Sequence, residues 1–372
     1  MKKLYLFIFF IVISVFTVFS YGFRDPNLNL SDNKLVRAFT DPLFHIVYYQ
    51  RPVASIVFFF FLVFLFVSYF YILKNPMKNV VRIVVIAAVI LSLSYPALTH
   101  DLFNYITTAK VAFFHRENPY IVMPIEIPGE QYLAFTRAAN KVALYGPVWL
   151  LLTALPHYMG NNTVWQTIIS FKLLALLGYL AFVFLILKVT KSEKNVLFFA
   201  LNPLILIETL VSGHNDIFMM ILACTGLLVW QKQKILGIAA VCASALVKGA
   251  TIVLLPFLFF RGISRETLLR YVYGSLAFVF FVFAPLREEL YPWYAVWLVC
   301  ITSLMDMKKN AMIISFTIVL SFALELRHLP YMWMGYYEGP GPPLRFIVTI
   351  IPIALYFGWI FRIYAKKYFC QK

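Results

Sequence analysis

Apolar runs of about 15 to 22 residues recur along the chain, and short clusters of lysine and arginine break them. Inside lipid only a helix satisfies all its own backbone N–H and C=O groups, so the pattern predicts an all-α, polytopic membrane bundle. Runs near 4–20, 53–73, 80–98, 164–187, 195–211, 216–230, 235–247, 250–260, 271–285, 292–306, 311–325 and 346–364 predict about twelve spans.

The basic clusters orient these spans. Lys2 and Lys3 place the N-terminus in the cytoplasm, so 21–52 is an external loop, Lys74, Lys78 and Arg82 are inside, and Asp101 emerges outside. The basic start and apolar centre of residues 1–20 resemble a signal peptide, but no clean small-x-small cleavage pattern follows, so this segment reads as an uncleaved first helix. The piece at 145–158 would cover only ~21 Å of a ~30 Å hydrocarbon core. Were it to span, Lys188, Lys191, Lys194, Lys232 and Lys234 would all lie outside, so it reads as an interfacial helix on the external surface. The apolar stretch at 235–260 reads as a hairpin with Lys248 at its external turn, because a lysine at mid-membrane costs roughly 2.5–3.5 kcal/mol. Both termini are then cytoplasmic. The chain 1–372 reads as one transmembrane domain: an N-terminal helical hairpin at 1–79, a core at 80–300 with external loop 99–163, and C-terminal spans at 301–372.

Composition agrees with this class. The 372 residues are 62% hydrophobic and 13% charged, which excludes an ordinary water-soluble domain. A net charge of +16 raises the question of nucleic acid, but the basic residues sit between apolar runs and act as topology signals, so no nucleic-acid partner is expected. Cys224, Cys242, Cys300 and Cys370 show neither a disulfide framework nor metal-ligand spacing. No inverted repeat of the transporter kind is visible.

On this map the costly polar residues collect on the external side: His100, Asp101, the segment 212–216, Lys248, the segment 286–294 and the loop 325–345. Asp101 reads either as the N-terminal cap of a helix or as a general base taking a proton from a hydroxyl. His214 and Asp216 either cap the following helix or bind sugar and assist that base. Lys248 either snorkels to headgroups or, with Arg287 and with Arg327 or Arg345, clamps a phosphate. His328 is either an ordinary loop histidine or a partner of Asp101. Trp293, Tyr294, Trp297, Trp333 and Tyr337 read as an interfacial belt or as stacking surfaces.

Read in order, THDLFNYI, ENPY at 117–120, YGPVW at 145–149, NPLILIETLVSGHND at 202–216, LVKGA at 246–250 and YPWYAVW at 291–297 together resemble the GT-C glycosyltransferases, closest to bacterial polyprenyl-phosphate-mannose mannosyltransferases of the cell envelope. The resemblance covers about residues 80–300. It implies a membrane enzyme that transfers a sugar, mannose first among the candidates, from a polyprenyl-phosphate donor to a glycolipid or glycan hydroxyl with inversion. It assigns Asp101 as base and favours Lys248 and Arg287 as donor-phosphate contacts; from their placement His214, Asp216 and His328 are further catalytic candidates and Arg327 a further phosphate contact. His100, Tyr105, Asn118, Tyr120, Tyr145 and Trp293 are the candidate acceptor or sugar contacts. The site would face outward from the plasma membrane. This chain departs from the family pattern in placing an extra hairpin before Asp101, in lacking an Asp-x-Asp beside it, so that no divalent metal is indicated, and in ending soon after its last span. The alternative is a transporter or flippase of a lipid-linked sugar, which would carry polar groups near mid-membrane, where Glu208 is the main candidate.

Overall fold

The computed structural model describes residues 2–369 apart from 29, 31, 76, 261 and 288, with the side chains of 2, 287, 364 and 366–369 outside the described set. The described residues are all-helical, without a strand. Six helices are long and apolar enough to cross a membrane: Lys3–Phe23, Arg51–Lys74, Val164–Thr190, Arg265–Leu286, Ala311–Met334 and Gly341–Ile363. The pair Glu193–Ala200 and Pro203–Val211, bent by 55°, makes up to seven, and five further apolar helices are shorter. Several stretches expected to span are therefore short or broken. The expected 80–98 ends as a helix at Ser92, 195–211 breaks at Asn202, and 250–260 winds as the tighter 3-10 form over Gly249–Phe259.

The break has a local cause. Pro203 has no N–H to donate, and the Asn202 carboxamide oxygen takes the Leu204 N–H at 3.0 Å. Carbonyls that lose their helical partners are picked up by two buried tyrosines: Tyr69 donates to Phe198 O and Tyr179 to Ala200 O, each at 2.7 Å. Beyond the break the chain winds as a wider π-helix, Leu206–Val211, whose closing bonds run from Ser212 N to Ile207 O and from His214 N to Glu208 O. Its last carbonyls meet Lys172, a buried lysine in the Val164–Thr190 helix. Lys172 Nζ donates to Val211 O and Ser94 Oγ at 2.9 Å and also to Leu210 O.

One segment differs in kind from the simplest sequence picture, and another agrees with it. Residues 21–52, expected as a loop, contain the amphipathic helix Lys34–Tyr49, which Asn33 caps by accepting the Leu35 N–H. Its interrupted apolar pattern and internal Pro42 hid it. The expected surface helix at 145–158 is Pro147–Met159, with proline at its first turn. Gly146 N and Val148 N donate to Val247 O and Leu246 O, each at 3.1 Å, which locks YGPVW onto the turn carrying Lys248. A Cβ on Gly146 would stand 2.0 Å from Leu246 O, so only glycine permits this approach.

Candidate functional site

One end of the bundle holds a cavity of about 830 Å³. Its wall comes from His100, Asp101 and Asn104 on the Asp101–Phe113 helix and its approach, from Arg137–Gly146, from the Lys248 turn, from Glu289–Tyr294, from Arg327–Tyr337 and from Arg345. These segments are remote in sequence. Backbone pairing of 146–148 with 246–247 joins the Tyr145 and Lys248 segments, and the Ser212 hydroxyl, donating to Ala97 O at 3.0 Å, joins the 212–216 turn to the approach to Asp101.

Asp101 opens the Asp101–Phe113 helix, where a carboxylate suits the positive end of the helix dipole. Its side chain keeps 21% of its surface exposed. Tyr145 donates to Asp101 Oδ2 at 3.0 Å, Asn104 Nδ2 reaches Oδ1 at 3.3 Å, and His214 Nδ1 lies 3.5 Å from Oδ2. Asn104 also accepts the Ala138 N–H at 3.1 Å, tying the 137–146 loop to the same helix.

His214 is buried and lies face to face with Trp293, ring centres 4.2 Å apart. Its other nitrogen stands 3.1 Å from Glu208 Oε2, and Glu208 Oε1 stands 3.0 Å from His328 Nε2. Asp101, His214, Glu208 and His328 thus form a continuous chain of side chains running from the cavity into the protein. Burial alone would lower the His214 pKa, but Asp101 and Glu208 on either side overcome it and raise it to about 9. For Asp101, burial pushes the pKa up, and His214, then Lys248 and Tyr145, pull it below the ordinary value. At neutral pH the pair is therefore carboxylate and imidazolium. Gly213, at φ +78°, supplies the left-handed turn that delivers His214, and a Cβ there would press on Leu102 at 2.9 Å.

The cationic side of the cavity is organised by carboxylates. Lys248 Nζ lies 2.9 Å and 3.1 Å from the two oxygens of buried Asp216, which also accepts the Trp297 indole N–H at 2.5 Å. The ammonium sits 4.4 Å from the Tyr294 ring centre. Arg327 and Arg345 converge on one oxygen of Glu289, at 3.0 Å and 2.8 Å. Arg137 and Lys141 line the cavity and make no ion pair among the described residues.

Of the residues singled out from sequence, His100, Asp101, Tyr145, Lys248, Trp293, Arg327 and His328 line this cavity, and His214 and Asp216 lie directly behind its wall. Tyr105 is buried behind the cavity against Tyr145 and Trp149, and its hydroxyl accepts from Asn215 N at 3.4 Å. Asn118 and Tyr120 stand outside the lining; the Tyr120 hydroxyl donates to Tyr145 O at 3.0 Å. The Arg287 side chain falls outside the described set. Arg137, Lys141 and Glu289 were not singled out, and Glu208 was noted only as a polar residue in an apolar run. That anomaly, an ionisable group where lipid-facing residues belong, was the available signal.

A helical membrane protein whose cavity joins a carboxylate held ionised to a set of cations has the makings of a glycosyl-transfer enzyme. Residues 15–262 match the model of the alpha-(1->6)-mannopyranosyltransferase N-terminal domain, and the chain belongs to that family, a GT-C type of mannosyltransferase. No curated protein and no solved structure matches the chain. The matched part contains Asp101, Glu208, His214, Asp216 and Lys248, whereas Glu289, Arg327, His328 and Arg345 follow it.

Proposed function

We infer that the protein transfers mannose from a polyprenyl-phosphate donor to a hydroxyl of a glycolipid or glycan at the external face of the plasma membrane, with inversion. The observation that carries this reading is the shared cavity of Asp101 and Lys248, with Arg137, Arg327 and Arg345 on the same wall. In a single displacement the acceptor oxygen attacks the anomeric carbon and its proton passes to Asp101. The bond from that carbon to the phosphate oxygen breaks, and its electron pair leaves with the phosphate. A leaving phosphate gains charge as the bond breaks, so cations fixed at its position favour the transition state more than the ground state.

His214 acts by position: it holds Asp101 ionised and aimed at the cavity. Asp216 acts likewise on Lys248. Tyr145 and Trp293 line the space assigned to the sugar, Trp293 by its edge because its faces carry His214 and Tyr291, and His100 and Arg137 line the same space. Glu208 lies close to the site but is held between His214 and His328, which supports a positioning network better than an ion pathway through the membrane.

The donor assignment is tested with purified protein in nanodiscs, offered either polyprenyl-phosphate mannose or a nucleotide mannose with the same acceptor extract. Transfer from the lipid phosphate alone is expected. Transfer from the nucleotide alone would overturn the assignment of donor while leaving the family unaffected.

A further inference from the structure

Behind the cavity, Glu208, Glu325 and His328 each bring one donor atom within 4.8 Å of the other two. Nε2 of His328 lies 3.0 Å from Glu208 Oε1 and 4.0 Å from Glu325 Oε2. Both carboxylates are fully buried. Neither oxygen of Glu325 accepts a hydrogen bond among the described residues. Asp101 and Glu208 share His214 between them, but the imidazole nearest Glu325 is already engaged by Glu208 at the shorter distance. Two buried carboxylates thus face each other across a single imidazole, and one of them lacks any donor. A buried carboxylate in that condition is costly, and a cation between the two relieves it.

We propose that Glu208, Glu325 and His328 form a binding site for a divalent cation of the zinc class. The ion takes one oxygen from each glutamate and Nε2 from His328, with the donors closing to about 2.0–2.2 Å from it. The two carboxylates neutralise its charge. Oxygen and imidazole donors together suit zinc or manganese better than calcium, which prefers an all-oxygen shell. The second oxygen of Glu208 stays 3.1 Å from His214 Nε2 as an ion-pair contact, an outer partner of the kind that orients a ligating carboxylate. Three protein ligands leave a coordination position unfilled. His328 also lines the cavity, so that position lies beside the space assigned to substrate. The ion would tie the Leu206–Val211 turn to the Ala311–Glu325 and His328–Met334 helices. The site does not depend on which donor the enzyme uses; Glu325 and His328 stand three positions apart, and Glu208, 117 and 120 positions from them, joins them only through packing.

The competing chemistry is a proton held between the two glutamates, and the test separates them. Full-length protein is purified without chelator, and its metal content is measured by mass spectrometry before and after incubation with Zn²⁺ alone or Mn²⁺ alone. One equivalent per chain is expected, with melting temperature falling on chelation and returning with the metal. Glu325→Gln and His328→Asn are expected to lower affinity by at least about tenfold, and Asp101→Asn to leave it unchanged. Wild-type protein that holds no metal, takes up neither ion and melts at the same temperature with or without chelator would overturn the proposal. A Glu325→Gln variant that folds, melts no lower than wild type and binds the same metal would overturn it too, since glutamine can replace a protonated glutamate but makes a poor ligand.

Discussion

His214 Nδ1 lies 3.5 Å from Asp101 Oδ2, so the middle residue of the SGHND turn is the counter-ion of the residue that opens the Asp101–Phe113 helix, 113 positions earlier in the chain. That pairing sets the ionisation of the proposed base. Asp101 is depressed below its ordinary value, so its carboxylate form is retained until the medium is distinctly acidic. A depressed carboxylate contributes stability above its unfolded pKa and loses it as pH falls through the folded one. In His214→Gln the largest lowering influence is gone and burial pushes the other way. The acid limb of the kcat/KM profile is therefore expected to move to higher pH than in wild type. Superimposed limbs would remove His214 from this role.

Tyr145 donates to the same carboxylate at 3.0 Å. A hydrogen bond to a charged group contributes about 1.5–3 kcal/mol, so Tyr145→Phe is expected to reduce kcat/KM by roughly tenfold or more. Its melting temperature should fall by a few degrees, because the lost bond also stabilised the folded state while the ring keeps its packing on Tyr105. Steady-state kinetics beside a thermal melt check both halves.

Gly146 has no room for a methyl group against Leu246 O, and the backbone pairing there sets Tyr145 and Lys248 on one wall. Gly146→Ala is expected to cost about 1–3 kcal/mol through overpacking and to lower transfer activity. Gly274→Ala, where nothing lies within 4 Å, serves as the neutral comparison within a helix. Equal melting temperatures for the two variants would contradict this account of the turn.

Lys172 is buried and serves two carbonyls and a serine at the end of the π-helix that carries Glu208. Lys172→Met keeps the length of the side chain and removes the donor, leaving buried acceptors unsatisfied at about 1–3 kcal/mol. Lower thermal stability is expected, with new proteolytic cleavage near 206–214. Unchanged melting and cleavage would mean that the lysine does not hold the turn.

Much of this molecule is legible as local pattern. Hydrophobic run length locates the six long helices, and Asp101, Lys248, Tyr145 and Trp293 stand in short motifs whose residues line one cavity. What a linear reading lacks is pairing across distance. Glu208 meets His328 over 120 positions, and Arg327 and Arg345 share Glu289, relationships that depend on helix packing alone. Tyr105 sits in THDLFNYI beside Asp101, but helical rotation turns it into the core, while Asn118 and Tyr120 belong to a loop that stops short of the cavity. The helix Lys34–Tyr49 is amphipathic, and a search for long apolar runs passes over such an element.

The central claim is that Asp101 accepts the proton of the acceptor hydroxyl, and it is tested most directly by mannose transfer from polyprenyl-phosphate mannose, comparing wild type with Asp101→Asn at matched folded amounts while donor binding is measured in parallel. The asparagine keeps the size of the side chain and cannot take the proton. A loss of about 10²–10⁴-fold in transfer with donor binding retained is the expected result. Transfer by Asp101→Asn at the wild-type rate would contradict the account.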